Sequence, residues 1–154
     1  MGYSDSGHRS EVQTLRARSG YIFINGGAAI SWRSSMLRVV TWSTCESEYV
    51  GLGESSNEAI YLWQLQTELG IGKKGVLLLG DNSSSLKLAE NPVFHRRSKH
   101  ILLRYHSIRD RVRDGNIELC KVDTGLNAVD MMTKQVDVKM LRTCKALIGM
   151  MPSG

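Results

Sequence analysis

Long apolar runs are missing from this sequence, and so is any charged-then-apolar pattern at its N-terminus. A membrane helix needs about 20 consecutive apolar residues and a secretory leader needs that pattern, so the chain is expected to be soluble and intracellular, cytoplasmic or nuclear, without a membrane partner. Paired cysteines are missing too. Cys45, Cys120 and Cys144 are odd in number, widely spaced and free of any C-x-x-C pair, which fits reduced thiols acting as small buried hydrophobes. His95, His100 and His106 match no zinc-ligand spacing, and no repeat or low-complexity linker occurs. What the chain does carry is a formal charge of +5 and a pI near 9.3, which favours an anionic partner. Its 154 residues suffice for one domain with a sizeable core, expected over 1–149 with 150–154 as a frayed tail.

Ser43-Thr44-Cys45-Glu46-Ser47-Glu48-Tyr49 opens the longest predicted helix. Ser43 and Glu46 have the spacing of a capping box, in which the serine oxygen accepts from a free backbone N–H and the glutamate reaches back to the cap. That occupies Glu46 structurally and leaves Glu48 without such a role. Tyr49, Leu52, Ala59, Leu62 and Trp63 then recur at roughly helical spacing up to a stop at Gly70. Glu48 beside this face is either a surface charge favoured near a helix N-terminus or a ligand.

In chain order, Gly2-Tyr3-Ser4-Asp5-Ser6 reads as a strand delivering an aspartate to its end, and 7–18 as a polar connection. Tyr21-Ile22-Phe23-Ile24 and Ala28 to Trp32 flank Asn25-Gly26-Gly27, a strong hairpin signal because turn residues there must tolerate positive φ. Residues 38–42 lead extended into the Ser43 cap. Gly75 to Gly80 is a short apolar run, the pattern of a strand buried on both faces, and it ends at Asp81-Asn82. A short helix through Leu86, Leu88 and Ala89 follows. Ile101, Tyr105, Ile108 and Val112 place one apolar stripe on a helix over 98–114, stopped by Gly115. Ile117 to Val122 alternates like a strand, Leu126 to Lys134 reads as a helix start containing Asp130, and Val136 to Ile148 as a last helix with Leu141, Ala146 and Leu147 inward.

This order predicts an α/β arrangement around a mixed sheet. Acids fall at the element ends. Sites in open α/β sheets assemble at the carboxyl ends of neighbouring strands, so Asp5 and Asp81 can converge with Glu48 above them, and Asp130 lies in a late helix. Clustered carboxylates raise one another's pKa unless a divalent cation neutralises them. Oxygen ligands alone select magnesium or manganese, and two such ions about 4 Å apart can activate a water and stabilise a leaving oxygen at a phosphodiester.

Further stretches carry a resemblance: Ser19-Gly20-Tyr21, Gly26 to Trp32, Ser43 to Tyr49, Asp81-Asn82, Asn91-Pro92-Val93-Phe94-His95, Lys99-His100-Ile101, Arg104-Tyr105-His106 with Ile108-Arg109, and Val129-Asp130 with Thr133-Lys134. Together with Gly2 to Ser6, in this order and spacing, they resemble the ribonuclease H domain of copia-type LTR retrotransposon polyproteins, from Gly2 to about Val136. The resemblance implies a ribonuclease H-like fold with a mixed five-stranded sheet flanked by helices. It implies hydrolysis of the RNA strand of RNA–DNA hybrids, with two Mg2+ ions, or Mn2+ as substitute, held by Asp5, Glu48, Asp81 and Asp130 as catalytic and metal-binding residues. A reverse transcriptase domain or a host protein is the further partner it implies, the chain being read as an excised domain or a host-retained remnant.

Between His95 and Arg113 lie Arg96, Arg97, Lys99, Arg104, Arg109, Arg111 and Arg113, opposed only by Asp110. Such a surface is either a solvated helix face or a phosphate-binding one that gives affinity without sequence preference. Arg96, Arg97, Lys99, His100 and Arg104 are the expected backbone contacts, with Asn82 and Ser83 as candidates for 2′-hydroxyls. Several positions depart from the family pattern. Gly51 and Gly53 stand within the long helix, each at a cost of about 1 kcal/mol relative to alanine. Gly7 replaces an acid, Gly80 a cysteine and Leu102 an acid, and the loop 123–127 lacks the usual acidic and glutamine residues. These departures keep open an alternative: a catalytically weak or inactive nucleic-acid-binding or regulatory module.

Overall fold

The computed structural model describes residues 1–7, 16–71, 75–90 and 103–150, side chains of 103–106 excepted, and these described residues form five strands and five α-helices. In chain order these are β1 (Gly2–Gly7), β2 (Arg18–Asn25), β3 (Ala28–Met36), α1 (Thr44–Glu68), β4 (Val76–Gly80), α2 (Ser83–Glu90), α3 (Leu103–Arg113), β5 (Ile117–Lys121), α4 (Asp130–Thr133) and α5 (Val138–Leu147). The sheet order is β3-β2-β1-β4-β5. β1, β2 and β3 pair antiparallel, whereas β4 pairs parallel with both β1 and β5. The expected mixed five-stranded sheet is therefore present, with β1 at its centre.

The hairpin between β2 and β3 turns on Gly26 and Gly27, both at positive φ, while Asn25 closes β2 opposite Ala28. Positive φ at both central residues matches the right-handed twist of the strands, and glycine adopts it without a Cβ penalty. Along β2 the side chains alternate. Tyr21 and Phe23 join Tyr49, Leu52, Leu78, Ile108 and Ile117 under α1 and α3, and Ile22 and Ile24 join Tyr3, Val129 and Ile148 on the opposite face. β4 serves both cores as its unbroken apolar run predicts, with Val76 and Leu78 on the first side and Leu79 on the second.

Ser43 caps α1, its Oγ accepting from the Glu46 N–H at 3.1 Å. Glu46 reaches back one residue further than expected, accepting from the Trp42 N–H at 2.8 Å. The first half of α1 is buried far beyond one stripe: Glu46 to Gly53, Ser55, Ser56 and Ala59, apart from Glu54, are all inside. Small side chains make this possible. Ser55 donates to the Gly51 carbonyl and lies 2.9 Å from Ser4 Oγ of β1, and Ser19 of β2 donates to Glu54 at 2.8 Å.

Three expectations change. The late helix expected from Leu126 to Lys134 divides into a 3-10 turn at Thr124–Leu126 and the four-residue α4, because Asn127 leaves helical geometry. There Asn127 is fully buried and donates its side-chain amide to the Ser4 carbonyl of β1. The last helix starts two residues late, where Asp137 Oδ1 accepts from the Met140 N–H at 2.7 Å, and it turns Cys144 inward while Ala146 is exposed. Cys45 and Cys120 are only half-buried, so the inert-core reading applies fully to Cys144 alone. Residues 98–102 of the expected basic helix, Asn91-Pro92 and the tail from 151 lie outside the described residues.

Candidate active site

β1 carries Asp5 to the middle of the sheet, where it is 2% exposed and faces Gly20 of β2 across the ladder. Glycine at 7 and 20 creates a seat beside it. A Cβ on Gly7 would come within 2.9 Å of the Thr133 carbonyl oxygen, and one on Gly20 within 2.9 Å of Thr133 Cγ2 and 3.1 Å of Val129 Cγ2. Without those carbons α4 settles directly onto β1 and β2, bringing Asp130 to Asp5. Asp81 arrives from the carboxyl end of β4, half-buried. One carboxylate oxygen from each of Asp5, Asp81 and Asp130 lies within 4.8 Å of the other two.

Glu48 is not a member of that three-way cluster but lies against it from α1, 5% exposed. A Cβ at Gly51, one turn further along α1, would lie 3.3 Å from Ser6 Cβ and 3.6 Å from the Asp5 carbonyl, so this glycine lets the helix rest close on β1. Burial, then the charges of Asp5 and Asp81, push the Glu48 carboxyl up to about 9, against a backbone hydrogen bond from Ser6 that favours its charge. Burial also raises Asp130, to about 6, partly offset by its hydrogen bond with Lys134. Lys134 Nζ is 2.9 Å from Asp130 Oδ2 and 3.9 Å from Asp5 Oδ2. Burial opposes the lysine's charge, yet that hydrogen bond and the surrounding carboxylates outweigh it and raise its pKa. The Thr133 hydroxyl donates to Asp5 Oδ2.

The donor set suits a hard divalent cation. All of its groups are carboxylates, the charges of Asp5 and Asp81 add to burial in disfavouring the Glu48 anion, and Asp130 Oδ1 is buried without a hydrogen-bond partner among the described residues.

Next to Asp81, Asn82 has a structural task. Its Oδ1 accepts from the Ser84 and Ser85 N–H groups, both at 3.0 Å, which caps α2. Ser83 opens α2, half-buried. Arg96, Arg97, Lys99 and His100 lie outside the described residues, as does the side chain of Arg104 on α3. The remaining α3 arginines are engaged within the fold. Arg109 lies over the Tyr49 ring at 5.7 Å and donates to the Leu88 carbonyl, Arg111 donates to Ser56, and Arg113 pairs with Asp110 and Asp114. Residue-level reading overlooked Lys134 and Thr133 as neighbours of the acids. Lys134 was open to discovery, since it stands four residues after Asp130, the spacing of a helical ion pair.

No family model matches the chain. It is 37% identical over 149 residues to the retrovirus-related Pol polyprotein from transposon TNT 1-94 of Nicotiana tabacum, covering 97% of this chain and 11% of that protein. It is 34% identical over 148 residues to the corresponding polyprotein from transposon RE2 of Arabidopsis thaliana, covering 96% and 10%. The chain thus spans about a tenth of the length of these relatives. Among solved structures, the N-terminal RNase H domain of a Mycobacterium tuberculosis protein, fused to maltose binding protein, superposes with a TM-score of 0.59 at 14% identity, over 95% of this chain and 94% of that one. LC11-RNase H1 in complex with an RNA/DNA hybrid gives 0.56 at 15% identity, over 85% and 91%. The chain is thus similar, over almost its whole length, to a segment of the retrovirus-related Pol polyproteins of plant transposons, and it has the ribonuclease H fold.

Proposed function

We propose that the protein is a metal-dependent endonuclease that hydrolyses the RNA strand of RNA–DNA hybrids. The observation that carries this reading is the convergence of Asp5, Asp81 and Asp130, from three separate elements, with Glu48 pressed against them. Two Mg2+ ions, or Mn2+ in their place, held by these four carboxylates would supply an activated water and charge stabilisation at the leaving oxygen. The protein's own part is positional. Thr133 and the Ser6 N–H orient Asp5 and Glu48, and Asp5, Glu48 and Asp130 are buried while Asp81 is partly exposed. Asn82 Nδ2 and Ser83, beside Asp81, would meet a 2′-hydroxyl of the RNA strand. Arg96, Arg97, Lys99, His100 and Arg104 would hold phosphates. LC11-RNase H1, of the same fold, was solved with a hybrid bound, which supports this substrate class, and the Pol relatives support a reverse transcriptase domain as partner.

The test is cleavage of a labelled hybrid at low salt with Mg2+ or Mn2+, beside RNA and DNA duplex controls. Hybrid-only cleavage should fall at least about a hundredfold in Asp81→Asn, as expected for loss of electrostatic stabilisation at the reacting centre. Hybrid binding should persist in that variant. A protein that binds hybrid but cleaves it with neither metal would sink the enzymatic reading.

A further inference from the structure

Lys134 is the one basic side chain among the described residues within ion-pair distance of the acidic centre, and it sits to one side of it. Its ammonium bridges Asp130 Oδ2 at 2.9 Å and Asp5 Oδ2 at 3.9 Å. Among the described residues no basic side chain forms an ion pair with Glu48 or Asp81, and the Asp81 charge reaches Lys134 only after those of Asp130 and Asp5. Lys134 therefore offsets the Asp130–Asp5 end of the centre more than the Glu48–Asp81 end.

We infer that Lys134 is a built-in counter-cation that makes the two ion positions unequal. The Glu48–Asp81 half takes the first divalent ion, and the Asp5–Asp130 half takes a second only against the lysine ammonium. This rests on the metal-centre reading above. Charge counting supports it. Fully ionised, the four carboxylates and Lys134 sum to three negative charges, so one divalent ion leaves one negative charge and two leave an excess positive one. An anionic phosphate restores the balance, which ties full occupancy to the presence of substrate. Geometry agrees with the count. Asp130 Oδ2 is taken up by Lys134 while its Oδ1 is buried and unpartnered among the described residues, so a ligand atom is ready on Asp130 but the subsite is already partly neutralised. The lysine is partly exposed, 39% at the side chain, and can swing away without unpacking the core.

Mn2+ titration of the purified protein without nucleic acid, followed by electron paramagnetic resonance and calorimetry, tests this without reference to activity. In the wild type the second ion should bind at least about tenfold more weakly than the first, since a unit charge about 4 Å away is a strong opponent even when well screened. Lys134→Met, which keeps the length and removes the charge, should tighten the second site at least tenfold and leave the first unchanged, and Lys134→Gln should do the same. Lys134→Arg should behave as wild type. Circular dichroism before metal addition checks that each variant is folded. Identical second-site constants in wild type and both neutral variants would overturn the inference while leaving the metal centre intact, as would an arginine variant that behaves like the neutral ones. Absence of Mn2+ binding in all four proteins would overturn this inference and the metal centre together.

Discussion

A carboxyl group forced to ionise inside the fold acts against the fold. Glu48 ionises near its ordinary 4.5 in the unfolded chain and at about 9 in the native protein, because burial and the charges of Asp5 and Asp81 disfavour its anion. Between those values the unfolded state has released a proton that the folded state retains, so its contribution to stability declines as pH rises through that window. Asp130 adds the same sign over a narrower range, from its ordinary 3.8 to about 6. The metal-free protein should therefore show urea midpoints that fall as pH is raised from about 5 to about 9. Glu48→Gln should flatten that decline and raise stability at the alkaline end while removing hybrid cleavage. Saturating Mg2+ should restore the wild type most where the decline is largest. A wild-type midpoint indifferent to pH across this range would refute the buried, acid-crowded placement of Glu48.

Among the elements, α1 and α4 bring side chains to β1 by coming closer than ordinary packing allows. Gly7→Ala would set a Cβ 2.9 Å from the Thr133 carbonyl, a backbone atom that moves only if α4 moves. We expect a loss of about 1–3 kcal/mol in chemical unfolding, typical of overpacking, with a larger proportional loss of hybrid cleavage because Asp130 travels with α4. Gly80→Ala is the contrasting case. Its Cβ would meet Leu86 and Leu52 at 3.5 and 3.7 Å, ordinary contact, so stability should change by less than about 1 kcal/mol and cleavage little. A Gly7→Ala protein as stable and active as Gly80→Ala would show that the close approach of α4 is unnecessary. The same reasoning accounts for Gly51, which in sequence is only a poor helix former and in the fold is the residue that brings α1 down onto Ser6 and Asp5.

Over the whole molecule, the +5 charge is divided between structural and surface roles. Arg109 and Arg111 bind α3 to Tyr49, Leu88 and Ser56, so they hold helices together and are not available as a phosphate-binding row. Arg111→Ala should cost about 1.5–3 kcal/mol of stability, the range for a hydrogen bond to a charged group, with hybrid affinity nearly unchanged. Arg96→Ala and Arg97→Ala should do the opposite, weakening hybrid binding and reducing its salt dependence by about one unit of slope for each contact removed. Filter binding across a salt series together with urea unfolding separates the two groups. Equal effects of Arg111→Ala and Arg97→Ala on affinity would rule out this division.

Local chemistry made much of the architecture legible: the glycine hairpin, the Ser43 cap, the Gly70 and Gly115 stops and the unbroken apolar run of β4 each depend on residues a few positions apart. The acids, too, could be recognised at the ends of elements. The strand-end rule lets Asp5 and Asp81 converge with Glu48, but it says nothing of Asp130, whose approach depends on α4 folding back onto glycines far away in the chain. Nor could the role of each basic residue be read, since Lys134 and Arg111 differ from a solvated lysine or arginine only in what stands opposite them. Sequence by itself determined which groups were present and which local conformations they favoured. Tertiary structure alone decided which of them lost water and gained a charged neighbour, because desolvation and Coulomb energy depend on distance in space and not on separation along the chain.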